Sequence, residues 1–191
     1  MNTDIEKFCG LIRKRSKENQ TALRSFSSVH SVLSPAFSIL RQELDSMVRV
    51  IYLLSIADLY ERYRLVNLTL SGKQWRVLTH KGKWKKVTDR DMVDLAQQLQ
   101  GWTQSVYKFG CAFVHLSDFH NHSSENPFEK LEKSEQQDVL SHMRYYHGGP
   151  LGDNLTMEEL SHYLPDVLKK ISGNLECYLQ QLEEDETIDE C

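Results

Sequence analysis

Apolar residues return every three or four positions along most of this chain, and strict alternation is confined to one short segment. From Phe37 the series Leu40, Leu44, Met47, Val48, Ile51 and Leu54 keeps the helical period and widens between Val50 and Leu54, as on a helix covered from several sides. Ser34-Pro35 supplies its start, because serine caps orphan amides and proline suits the first helical position. The pattern predicts a central helix from there to about Val66. Before it, Ile5, Phe8, Leu11 and Ile12 predict a helix over residues 3 to about 20, followed by a Ser/Gln-rich stretch containing Arg24 and His30. After Gly72 the period switches to two. Trp75, Val77 and Thr79 alternate with Arg76 and Leu78, His80-Lys81-Gly82 turns the chain, and Lys83 to Val87 returns, predicting a small β-hairpin insertion over 72–88.

Thr88, with Asp89 and Asp91 in the first turn, caps a further helix carrying Met92, Leu95, Ala96 and Leu99. The next pattern predicts one helix from Trp102 to about Asn121, bearing two stripes. Trp102, Val106, Phe109, Phe113, Leu116 and His120 form an apolar face; Lys108, Cys111, His115, Asp118 and His122 recur on the opposite side, flanked by Tyr107 and Val114. Ser123 to Pro127 reads as a loop. A helix follows from Ser134, boxed by Gln137, to about His147, where Gly148-Gly149-Pro150 stops it. Thr156 with Glu159 repeats the capping box and opens a closing helix through Leu182, interrupted by Pro165. Residues 184–191 form an acidic tail expected to fray. Together these elements predict an all-α fold, an antiparallel helical bundle of about five or six helices with the hairpin inserted, in a single domain over 1–191.

Composition narrows the functional classes. The formal net charge of −4 argues against a general affinity for nucleic acid and leaves room for a local basic patch. Val50 to Ala57 is the most apolar run and falls well short of the roughly 20 residues that cross a bilayer, and the amino terminus lacks the pattern of a secretory signal. A cytoplasmic protein without membrane partners is expected. Cys9, Cys111, Cys177 and Cys191 are widely separated and form no CxxC pair, which signals neither a zinc ribbon nor a redox dithiol. No cofactor is expected.

Four candidate sites emerge. Arg41 and Asp45, one turn apart on the flank of the central helix, suggest an ion-pair network or a ligand groove shared with Tyr107, Cys111 and Asp118, while Glu43 is expected to face solvent. His115, Asp118 and His122 offer divalent-metal ligand types at helical spacing, with His142 and His147 one helix later. In the hairpin, Trp75 and Trp84 are interleaved with Arg76, Lys83 and Lys85, a combination that can grip a single nucleic-acid strand; alternatively the tryptophans pack the hairpin down and the lysines protect its edge.

The fourth candidate comes through a resemblance. Ile39-Leu40-Arg41-Gln42-Glu43-Leu44-Asp45 leading to Tyr52-Leu53-Leu54, followed later by Phe113-Val114-His115-Leu116-Ser117, resembles the HEPN-like group of bacterial helical proteins. Many members are ribonucleases of toxin-antitoxin or phage-defence systems, and others bind RNA or nucleotides. The resemblance implies a homodimer meeting through the stripe of Lys108, Cys111, His115 and Asp118, either as a binding or regulatory module or as a metal-independent ribonuclease. In the latter case His115 would be general acid or base and Lys108 would face the phosphate. Here Lys108 and His115 stand where the nuclease branch carries Arg and His, with six residues between them, and Phe109 occupies the place of its polar residue.

Overall fold

Among the residues that the computed structural model describes (3–26, 32–115, 117–121 and 124–188), seven α-helices, two short 3-10 turns and one two-stranded sheet account for the regular structure. The helices are α1 (Thr3–Phe26), α2 (Leu33–Leu54), α3 (Leu59–Leu70), α4 (Asp89–Gln100), α5 (Thr103–Val114), α6 (Lys133–His147) and α7 (Met157–Glu183). Strands β1 (Arg76–Leu78) and β2 (Trp84–Lys86) pair antiparallel. The all-α class with an inserted hairpin is thus the one observed. No helix among the described residues is long and apolar enough to cross a membrane.

The chain packs as two compact units. One comprises residues 1–17, 45–101 and 172–191, the other 18–44 and 102–171, so α1, α2 and α7 each contribute to both. In the first unit Phe8, Met47, Ile51, Leu65, Met92 and Leu179 are buried; in the second, Phe37, Leu40, Phe113, Leu140 and Leu164 are.

Several boundaries differ from the periodic reading, each for a local reason. The helix expected to run to Val66 is two helices. Residues 55–58 leave the helical path, and the Asp58 carboxylate accepts the N–H of Tyr60 at 2.9 Å, capping α3. Arg62, one turn into α3 and fully buried, donates to the Ile56 carbonyl at 2.8 Å, so the irregular link has its acceptor satisfied. The first helix continues past residue 20 to Phe26. The box expected at Ser134 does not form: α6 begins at Lys133 after Glu132 without a side-chain cap, and Gln136 instead donates to the Leu131 carbonyl at 2.8 Å. The cap at Thr88 forms, closed into a box by Asp91, and so does the box at Thr156, the Asp91 and Glu159 carboxylates accepting the N–H groups of their caps at 2.8 and 3.0 Å.

The acidic tail departs most. Glu186 gives its carbonyl to Arg62 at 2.7 Å, Asp185 accepts from the Tyr63 hydroxyl at 2.9 Å, and the Ile188 N–H reaches the Leu54 carbonyl at 3.2 Å. Residues 184–188 are therefore tied to α3 and the end of α2 rather than frayed; residues 189–191 lie outside the described chain.

Candidate functional site

The two-stripe helix ends early. α5 buries Phe109 and Phe113, and Phe37 of α2 stacks on Phe113 with ring centroids 4.4 Å apart, as the apolar stripe required. At His115 the backbone turns extended (φ −97°, ψ 143°). The Ser117 hydroxyl donates to the Ala112 carbonyl at 2.7 Å and accepts the Phe119 N–H at 3.3 Å, so a side chain takes the place of the next helical turn. A 3-10 turn at Asp118–Asn121 follows. His115 and Asp118 consequently share no helical face; His122 and Leu116 lie outside the described residues, and His120, expected on the apolar face, is exposed. No cluster of three metal-ligating side chains occurs among the described residues.

Lys108 is exposed and ion-paired with Glu135 of α6, so its charge is already matched by a carboxylate. His115 is exposed beyond the last helical turn. The inner part of the stripe is built differently. Arg41, 7% exposed, lays its guanidinium 4.1 Å from the centre of the Tyr107 ring. That approach depends on Gly110: a Cβ there would stand 2.7 Å from Arg41 Cβ and 2.8 Å from its Cδ. Burial, and then the neighbouring Cys111 thiol, push the Tyr107 hydroxyl above its ordinary pKa. Cys111 is a half-buried free thiol and Asp45 is half-buried on the next turn of α2. Glu43, expected in solvent, is fully buried and accepts from the Asn19 amide of α1 at 2.9 Å.

The hairpin separates its two tryptophans. Trp75 is 3% exposed, donates its indole N–H to the Thr69 hydroxyl at 2.8 Å and packs beside Tyr52, with Arg49 4.8 Å over its ring. It anchors the hairpin. In the register, Arg76 lies opposite Lys86, Val77 opposite Lys85 and Leu78 opposite Trp84. Opposed residues share a face and successive residues alternate, so Arg76, Leu78, Trp84 and Lys86 form one face and Val77 and Lys85 the other. Lys85 binds Asp91 at 2.8 Å. The other face stands open: Leu78 is 58% and Trp84 55% exposed. Gly82, at φ +68°, permits the tight return after Thr79 that places Lys81 and Lys83 at the tip. Arg64 of α3 reaches over the Trp84 ring at 5.1 Å. From Ser71 to Thr88 the chain holds six Lys and Arg residues and no carboxylate. Sequence reasoning missed Arg64, which only the fold brings here, and Leu78, which its register position opposite Trp84 would have disclosed. Compared with known proteins, the chain matches no family model, no curated protein and no solved structure.

Proposed function

We propose that the chain is a binding module that holds a single nucleic-acid strand across the open face of its hairpin. The observation that carries the reading is the exposed Leu78–Trp84 pair beside the Arg76–Lys86 pair on the same face, with Arg64, itself paired with Glu61 at 2.6 Å, over the Trp84 ring. Had the tryptophans served only to seat the hairpin, both would be buried; only Trp75 is. An exposed indole offers a π-face to an unstacked base, and the cations beside it can pair with the phosphates of the same strand. The whole chain is mildly acidic, so the attraction is local and orients the strand.

The HEPN-like resemblance and a homodimer are compatible with this proposal and rest on the residues quoted for them. Cleavage by His115 has less support, because Lys108 is held by Glu135 and His115 stands past the end of α5.

The test is fluorescence anisotropy with a short labelled mixed-sequence RNA and the corresponding single-stranded DNA. Stacking on one aromatic contributes about 1–3 kcal/mol, so Trp84→Ala should weaken binding at least about five-fold. Lys83→Glu with Lys86→Glu should weaken it further and flatten the salt dependence, each lost phosphate contact removing about 0.7 from the logarithmic slope. Equal affinity of wild type and variants would sink the proposal. Binding to vesicles of anionic lipid in place of RNA would reassign the face to a membrane surface.

A further inference from the structure

A pocket of about 70 Å³ lies within the second unit, among α2, α5, α6 and the first half of α7. Most of its wall is hydrocarbon, from side chains such as Phe109, Met143 and Leu164. Two lining residues break that pattern. Trp102 is 4% exposed, and its buried indole nitrogen has no hydrogen-bond partner; the Nδ1 atom of His142 is likewise buried without one. An indole N–H can only donate, so Trp102 requires an acceptor that the protein does not supply. By contrast, the indole of Trp75 is satisfied by Thr69.

Charge is concentrated at the same place. Lys170 lines the pocket with its ammonium 5.4 Å from the centre of the Trp102 ring and 3.3 Å from that of Tyr146. Burial lowers its pKa from the ordinary value, and burial also lowers that of His147 on the same wall. No carboxylate among the described residues pairs with Lys170, and none lines the pocket.

We propose that this pocket binds a small monocarboxylate with a short apolar tail. The carboxylate is acceptor-only, which suits the Trp102 N–H, and its charge suits Lys170. His142 can complete the set as the tautomer protonated on Nδ1. The tail lies against the hydrocarbon wall. Size sets the limit: the 70 Å³ is the room open to the centres of water-sized groups, each needing about 10–15 Å³ of it, so the pocket holds roughly five to seven such groups, a carboxylate with a tail of only a few carbons. The hairpin belongs to the other unit, and this inference is independent of what it binds.

The probe is sodium butanoate, with butan-1-ol as the uncharged counterpart, followed through the indole N–H resonances of ¹⁵N-labelled full-length protein. Trp102→Phe assigns the Trp102 signal. Butanoate should move that resonance with a dissociation constant of about 1 mM, while those of Trp75 and Trp84 stay in place. Butan-1-ol should bind at least about ten-fold more weakly, and Lys170→Met should remove that preference while leaving the rest of the spectrum dispersed. Where the variant loses its dispersion, Lys170→Gln serves the same comparison. A Trp102 signal that does not move with butanoate, or that moves equally with the alcohol, overturns the assignment and leaves the pocket to ordered water.

Discussion

Arg62 donates to the carbonyl of Glu186, 124 residues further along the chain, at 2.7 Å, and to the carbonyl of Ile56 at 2.8 Å. A fully buried guanidinium thereby ties the break after α2 to the segment after α7. Its pKa is lowered by burial, with Asp185 opposing that trend. Arg62→Met should cost about 3 kcal/mol, since hydrogen bonds made by a charged group each contribute about 1.5–3 kcal/mol and the methionine recovers part of the packing. Truncation after Glu184 should destabilise by a similar amount, and the double variant by less than the sum, because both changes break one shared network. Urea midpoints of the four proteins decide it; strict additivity would show that Arg62 and the tail act separately.

Cys9 is fully buried beside the ion-paired group in which Arg13 meets Glu176 at 2.8 Å and Glu183 at 2.6 Å. Burial pushes its thiol up to about 12, with the Glu183 charge adding to the effect. The thiolate is the reactive form, so Cys9 should resist a maleimide at pH 8 in the native protein and react once urea unfolds it, whereas exposed Cys177 should react at once. Peptide mapping after a short pulse distinguishes them. Labelling of Cys9 at the rate of Cys177 would contradict the packing.

The hairpin and α4 are joined through Asp91. Its carboxyl is held down at about 2, first by the Lys85 ammonium and then by the Thr88 hydroxyl and N–H. The folded value lies below the ordinary 3.8, so this stabilisation is present at neutral pH and is lost as pH falls from about 4 through about 2. Melting curves should therefore show the advantage of wild type over Asp91→Asn shrinking across that window. Thr88→Ala should cost about 1 kcal/mol at neutral pH through loss of the cap. A difference between wild type and Asp91→Asn that does not change between pH 6 and pH 2 would argue against the contact.

Gly110 makes an unusual prediction for a helix interior. Glycine to alanine normally gains about 1 kcal/mol there from propensity. At this position the new Cβ would meet the Cβ and Cδ of Arg41 below 3.0 Å, and overpacking costs about 1–3 kcal/mol. Gly110→Ala should thus be neutral or destabilising, and Arg41→Ala should relieve it only in part, because alanine keeps the Cβ that stands 2.7 Å from the new methyl group. Thermal melts of the three variants test the sign.

Legibility followed the range of the interactions. The Thr88 cap, the Thr156 box, the Gly148 stop and the hairpin are written within a few residues, and the structure has all of them. The break at residues 55–58 was masked by an apolar period that continues through it, although Asp58 carried a cap signal. The early end of α5 hinged on Ser117, one hydroxyl between Leu116 and Asp118, and with it went the shared face of His115 and Asp118. Glu43 looked solvated because its partner, Asn19, lies on another helix. The pocket formed by Trp102, His142 and Lys170 could not be read at all, since each residue alone is an ordinary helix position and only the packing of α5, α6 and α7 makes them neighbours.

The absence of a side chain at position 110 also sets a rule for descent. Arg41 can keep its place over Tyr107 only while residue 110 stays a glycine. In any lineage derived from this chain, the two positions are expected to drift as a pair: an arginine with a glycine, or a glycine at 41 once 110 has gained a methyl group. The joint history of two positions 69 residues apart would then record the closeness of two helices.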